Sequence, residues 1–129
     1  MITTLLCALL ALPTLYAHEI KNLSFSQAHC YEISEPFNNG HLAVDELHHI
    51  YFEEYGNPNG VPVLILHGGP GGGCKKAMAQ FFDPTFYRII MFDQRGCNRS
   101  TPYACLTNNT PQHSVHDIEK LRNHLGLES

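Results

Sequence analysis

Residues 61–73 read Val61-Pro62-Val63-Leu64-Ile65-Leu66-His67-Gly68-Gly69-Pro70-Gly71-Gly72-Gly73. The first six are apolar without interruption and follow the turn residues Gly56-Asn57-Pro58-Asn59-Gly60. A short, partly β-branched run bounded by such residues predicts a strand buried on both faces, as in a parallel sheet. The glycines at its carboxyl end let the main chain turn sharply, and with no Cβ in the way its N–H groups can approach a ligand closely. Donors so placed serve an oxyanion or a phosphate, and the same glycines also serve a tight turn that binds nothing. The phosphate version lacks its pattern. Lys75 and Lys76 are not followed by Ser or Thr, and neither G-x-x-x-x-G-K-[ST] nor G-x-G-x-x-G is spelled.

Working outward, residues 74–82 predict a helix with Ala77, Met78, Phe81 and Phe82 at helical spacing. Tyr87-Arg88-Ile89-Ile90-Met91-Phe92 predicts a second buried strand, ending in Asp93-Gln94-Arg95-Gly96. Further on, Ser114 and Asp117 fit a capping box, Val115, Ile118, Leu121 and Leu125 share one helical face, and Gly126 supplies the stop. Upstream, His41–Val44 and Ile50–Tyr55 predict a β-hairpin about residues 45–49. The whole is an α/β pattern: a hairpin, then strand–loop–helix twice, on a mostly parallel sheet.

The 129 residues allow one domain, or one piece of a larger one. Eight Lys and Arg against twelve Asp and Glu leave a net charge of −4, so no basic face is available for nucleic acid or anionic membrane. Residues 1–17 carry no charge, and the apolar run Leu5–Leu12 is too short for a stable membrane span. It suits the apolar core of a secretory signal ending at Ala17, although no Lys or Arg precedes it and Leu15 stands where a small residue is expected. Residues 18–30 read as a polar N-terminal arm. Without Cys7, the cysteines Cys30, Cys74, Cys97 and Cys105 form an even set that an oxidising compartment would allow to pair. No spacing is CxxC and nothing else looks like a disulfide scaffold, so free, partly buried thiols in a reduced cytosol are the expectation. Nine histidines raise a metal site, but His116 and His124 are two turns apart and no Cys or carboxylate cluster completes a sphere. No metal or other cofactor is expected.

His67–Gly73, Phe81–Ser100 and the Thr101-Pro102-Tyr103-Ala104-Cys105-Leu106-Thr107-Asn108-Asn109 that follows resemble the N-terminal half of proline iminopeptidases. The likeness runs from about Tyr31 to Gly126, and the HGGPG and DQRG motifs at this separation are more specific together than either alone. It implies an α/β-hydrolase-fold serine aminopeptidase that releases N-terminal proline from peptides, cytoplasmic unless residues 1–17 direct it to the periplasm or outside. By that resemblance the Gly69 N–H is an oxyanion-hole donor, partnered by the N–H after the nucleophile. Gly68, Pro70 and Gly71, with Asp93, Gln94, Arg95 and Gly96, form the active-site loops, and His67 is structural. Asn98 stands where the family usually has Gly; Asn is the residue after Gly that best tolerates the left-handed region.

The family carries its nucleophile in a G-x-S-x-G elbow after the next strand, with Asp and His later. No G-x-S-x-G occurs here, and Ser24, Ser26, Ser34, Ser100, Ser114 and Ser129 lack that context. Residues 31–129 are therefore expected to form the front part of the domain, without nucleophile, cap or triad, inactive alone and completed by a C-terminal part. Other expectations compatible with the residues are an esterase or amidase of the same fold, or a non-enzymatic remnant. In the family's sheet the strand ending at Leu66 lies beside the nucleophile strand, so here it would be an open, aggregation-prone edge.

Overall fold

The computed structural model describes residues 30–69 and 71–127. The signal-like leader, nearly all of the arm and Pro70 lie outside them. The elements are β1 (Asn38–Ala43), β2 (His49–Gly56), β3 (Val61–Ile65), a 3-10 helix (Lys76–Phe81), β4 (Tyr87–Asp93) and α1 (Pro111–His124).

The strands form one sheet in the order β1-β2-β4-β3. β1 and β2 are the expected antiparallel hairpin, and β2 pairs antiparallel with β4 through Tyr51↔Asp93 to Gly56↔Arg88. Parallel pairing is confined to β3 and β4, Val61↔Tyr87 to Ile65↔Met91, so the described sheet is mixed. The hairpin turn closes on Asp45, whose carboxylate accepts the N–H groups of Leu47 (2.9 Å) and His48 (2.6 Å).

Period-two alternation explains why β4 reads as a solid apolar run. Ile90 and Phe92 pack with Val44, Ile50, Phe52 and Leu121 on the α1 side. Ile89 and Met91 pack with Tyr55, Ile65, Cys74 and Ala79 on the other. Both faces are covered, so every side chain of the strand must be apolar or paired. β3 has one neighbour, β4, among the described strands; Val61 and Leu66 are 51% and 54% exposed.

Two local expectations are corrected. The helix expected over residues 74–82 is a six-residue 3-10 helix that starts at Lys76. The Cys74 N–H is taken by the Asp93 carboxylate at 2.6 Å, which fixes the chain before a helix can begin. Asp83 precedes Pro84, which disfavours helical backbone at the other end. The aromatics near it split: Phe82 and Phe86 pack edge-on against Tyr87, whereas Phe81 is 71% exposed.

The second correction concerns Ser114 and Asp117, which are not a capping box. α1 begins four residues earlier, with Thr110 rather than Ser114 as N-cap and Pro111 pre-set for the first turn. Asp117 lies inside the helix and is buried. Ile118, Leu121 and Leu125 pack on the core as expected, while Val115 is 59% exposed. The stop is as expected: Gly126 has φ 65°, the Leu127 N–H donates to Arg122 O and the Gly126 N–H to Asn123 O. That is a Schellman closure.

Candidate active-site loops

Because β3 and β4 are parallel, the loops that leave them emerge side by side at the carboxyl end of the sheet, where α/β folds bind ligands. Residues 67–74 leave β3 and residues 94–100 leave β4.

The glycine loop is bonded to β4's end at both of its own ends. At the start, the Gln94 N–H donates to His67 Nε2 and the Gln94 side-chain amide donates to His67 O, both at 3.0 Å. His67 is buried. At the far end Asp93 Oδ1 holds the Cys74 N–H, and Cys74 Sγ donates to Phe92 O at 3.2 Å. Burial first, then the Asp93 charge, pushes the Cys74 thiol up to about 11.

Between these anchors the loop is open. A Cβ built on Gly68, Gly69 or Gly71 would meet nothing within 4 Å. Gly69 and Gly71 have φ of 54° and 96°, conformations glycine adopts without strain. The Gly69 carbonyl accepts the Gly72 N–H at 3.0 Å, and among the described residues the Gly69 N–H has no bonded acceptor. A main-chain donor without an internal acceptor is what an oxyanion requires. Gly73 is constrained differently: a Cβ there would lie 2.4 Å from Asn98 Cβ. Asn98 takes the left-handed conformation expected of it, φ 43°, and its amide donates to Asp93 Oδ2 at 3.0 Å.

The charged residues of the second loop hold it from beneath. Asp93 is fully buried and also receives Arg99 Nε at 2.7 Å. Burial raises its carboxyl, but the Arg99 and Cys74 hydrogen bonds outweigh that and hold it below the usual carboxylate range. Arg99 continues to Glu53 and lies 4.0 Å over the Tyr51 ring. The Arg95 guanidinium is taken up by Asp117, Asp45 and Asn108 O. Gly96 has φ 74° and stands against the Cys105 backbone, where a Cβ would be 2.8 Å from its oxygen. Gln94, Gly71, Gly96, Tyr103, Leu106 and Asn109 line a cavity of about 430 Å³ beside the glycine loop. Pro70 lies outside the described residues.

Asp45, His48 and Asp117 contribute to this framework without having been visible as such in the sequence. The Arg95 partners Asp45 and Asp117 are 50 and 22 residues away from it, and no local pattern announces such pairs. An internal arginine in a buried turn was the available signal, since it demands a carboxylate. Ser100 is fully buried; it donates to Asp93 O and accepts the Tyr51 N–H, and no histidine is bonded to it. Cys30, Cys74, Cys97 and Cys105 are free thiols. Among the described residues no group of three or more His, Cys, Asp or Glu is arranged to hold a metal, and no helix is long and apolar enough to cross a membrane.

The model of the alpha/beta hydrolase fold family matches residues 61–129. The chain is 56% identical over 97 residues to the proline iminopeptidase of Neisseria meningitidis, a match covering 75% of this chain and 31% of that protein. It is 55% identical over 93 residues to the proline iminopeptidase of Arabidopsis thaliana, covering 72% and 24%. The crystal structure of a proline iminopeptidase-related protein from Thermus thermophilus superposes with a TM-score of 0.60 at 29% identity, covering 76% of this chain and 34% of the other. The chain thus spans only 24% to 31% of the length of these curated relatives. The chain belongs to the alpha/beta hydrolase fold family, and its sequence is similar to proline iminopeptidases.

Proposed function

We propose that this chain is the oxyanion-loop portion of a serine aminopeptidase of the proline iminopeptidase type, acting on peptides with N-terminal proline and without turnover on its own. The observation that carries this is the Gly69 N–H, without a bonded acceptor among the described residues, at φ 54° and between two anchored loop ends.

In this reading a serine supplied from outside residues 1–129 attacks the carbonyl carbon of the proline residue. The carbonyl oxygen gains charge as the tetrahedral adduct forms, and the Gly69 N–H and a second main-chain N–H after the nucleophile hold it. The histidine that took the serine proton returns it to the departing amine, leaving an acyl-enzyme that water hydrolyses. Such acyl transfer needs a nucleophile, a base and fixed donors, and we assign it no cofactor. The partner is the segment bearing the nucleophile elbow, Asp and His. By its resemblance to the proline iminopeptidases we place the protein in the cytoplasm, with export the outcome if residues 1–17 act as a signal.

The test joins the chain to the segment that follows the matched region in the N. meningitidis relative and measures p-nitroaniline release from proline p-nitroanilide. Turnover is expected from the joined protein and none from residues 1–129. Gly69→Pro removes the donor and should lower kcat about 10²–10³-fold. Since Gly69 sits at φ 54°, which proline cannot adopt, Gly69→Ala is the companion variant: it keeps the N–H, and should retain far more activity. Near-normal kcat in folded Gly69→Pro excludes Gly69 as a donor. Preference for p-nitrophenyl esters over the proline amide would assign an esterase instead.

A further inference from the structure

We infer that Gln94 is a positioning residue for the Gly69 N–H, setting the aim of the oxyanion donor through a two-point clasp on His67 while touching no reacting atom. This rests on the function proposed above.

The clasp follows from register. Ile65 is level with Met91 in the parallel pair, so two residues further on His67 arrives beside the Asp93–Gln94 step. Gln94 then bonds His67 twice, main-chain N–H to ring Nε2 and side-chain amide to main-chain O, each at 3.0 Å. The first bond requires Nε2 to be an acceptor, which puts the ring proton on Nδ1, 3.4 Å from Gly68 O. The second bond matters more for the donor. The His67 carbonyl belongs to the peptide plane between residues 67 and 68, and the Gly69 N–H belongs to the next plane. Only the torsions of Gly68 separate them. Gly68 has no Cβ and no packing neighbour within 4 Å of where one would be among the described residues, so side-chain packing does not restrain those torsions. The contact on the Gly69 side of them is the long 3.4 Å approach of His67 Nδ1 to Gly68 O. Pinning the 67–68 plane from Gln94 supplies a restraint the glycines lack. Asp93 anchors the other end at Cys74, but it is fully buried and also carries Arg99 and Asn98, so its loss would disturb the fold. Gln94 is only partly buried and bonds the glycine loop alone through its side chain, which makes it the separable member of the pair.

The test uses Gln94→Ala and Gln94→Met in the joined protein described above. Met fills the same space without a donor, so it reports on the hydrogen bond if the smaller residue disturbs packing. Two readouts are taken. Hydrogen exchange followed by mass spectrometry should show faster exchange over residues 67–74 and parent-like exchange over Pro111–His124. Steady-state kinetics should show kcat lowered roughly tenfold, the loss of about one hydrogen bond's worth of alignment, with KM within about twofold. Unchanged exchange over 67–74 in both variants overturns the proposal, and so does unchanged kcat in an active parent. An inactive parent refutes the function proposed above and leaves the exchange measurement to decide the role of Gln94 in holding the loop.

Discussion

Arg95 and Asp117 form a two-pronged ion pair, Nε to Oδ2 at 2.7 Å and the terminal nitrogen to Oδ1 at 2.6 Å, with side chains only 2% and 1% exposed. It ties the loop after β4 to the middle of α1. The guanidinium also reaches Asp45 at 3.0 Å in the hairpin turn, so one side chain binds three segments distant in sequence. The loop that clasps the glycines is rigid from below for this reason.

Removing one partner of that pair strands a buried charge. Asp117→Asn should destabilise dilute protein by about 3 kcal/mol, measured as a shift in urea midpoint. Replacing both residues with apolar ones of similar size, Arg95→Met with Asp117→Leu, should cost less than the single change. A single variant as stable as the parent would show that the pair does not hold α1 to the loop.

Acid should loosen the same framework. Burial raises the Asp45 carboxyl, but hydrogen bonds from the His48 and Leu47 N–H groups and the His48 ring outweigh it and hold it well below the usual range. Asp93 is also depressed. A carboxyl whose folded pKa lies below its unfolded value stabilises the protein fully above the unfolded value, about 3.9, and the contribution fades as pH falls through the folded pKa. Urea midpoints should therefore be level near neutrality and decline below about pH 4, less steeply in Asp45→Asn. A midpoint that rises on acidification contradicts this.

Thiol chemistry should follow burial. Cys74 is 5% exposed with its thiol pushed up to about 11, so it holds almost no thiolate at about pH 8. Cys30 is exposed. Iodoacetamide at about pH 8 should alkylate Cys30 within minutes and leave Cys74 unmodified until urea is added, as peptide masses would reveal. Equal labelling of the two in native protein would contradict the burial of Cys74 and its hydrogen bond to Phe92 O.

β3 carries an apolar edge with Val61 half exposed. The chain studied by sedimentation velocity should self-associate with rising concentration, and Val61→Lys, which places a charge on that edge, should shift it toward monomer. A wild-type chain that stays monomeric at high concentration would remove the edge as an aggregation template.

Residues 61–73 and 87–96 carried most of what could be read in advance. A strand buried on both faces has no polar face to display, so Tyr87–Phe92 stands out as an apolar run. Val61–Leu66 reads the same way, but among the described residues it is an edge strand with Val61 and Leu66 half exposed, not one covered on both faces. Gly126 and Asn98 were legible too, because left-handed backbone is a property of the residue itself. The start of α1, the 3-10 helix and the roles of Asp117, Asp45 and Gln94 were not. The polar roles depend on a partner brought near by sheet register or helix docking: Asp93 takes the Cys74 N–H, Arg95 takes Asp117, and His67 meets Gln94. Local sequence determined where the chain must be apolar, extended or turned, while the tertiary structure decided which polar groups face one another, because a hydrogen bond across 19 to 50 residues exists only once the sheet has formed.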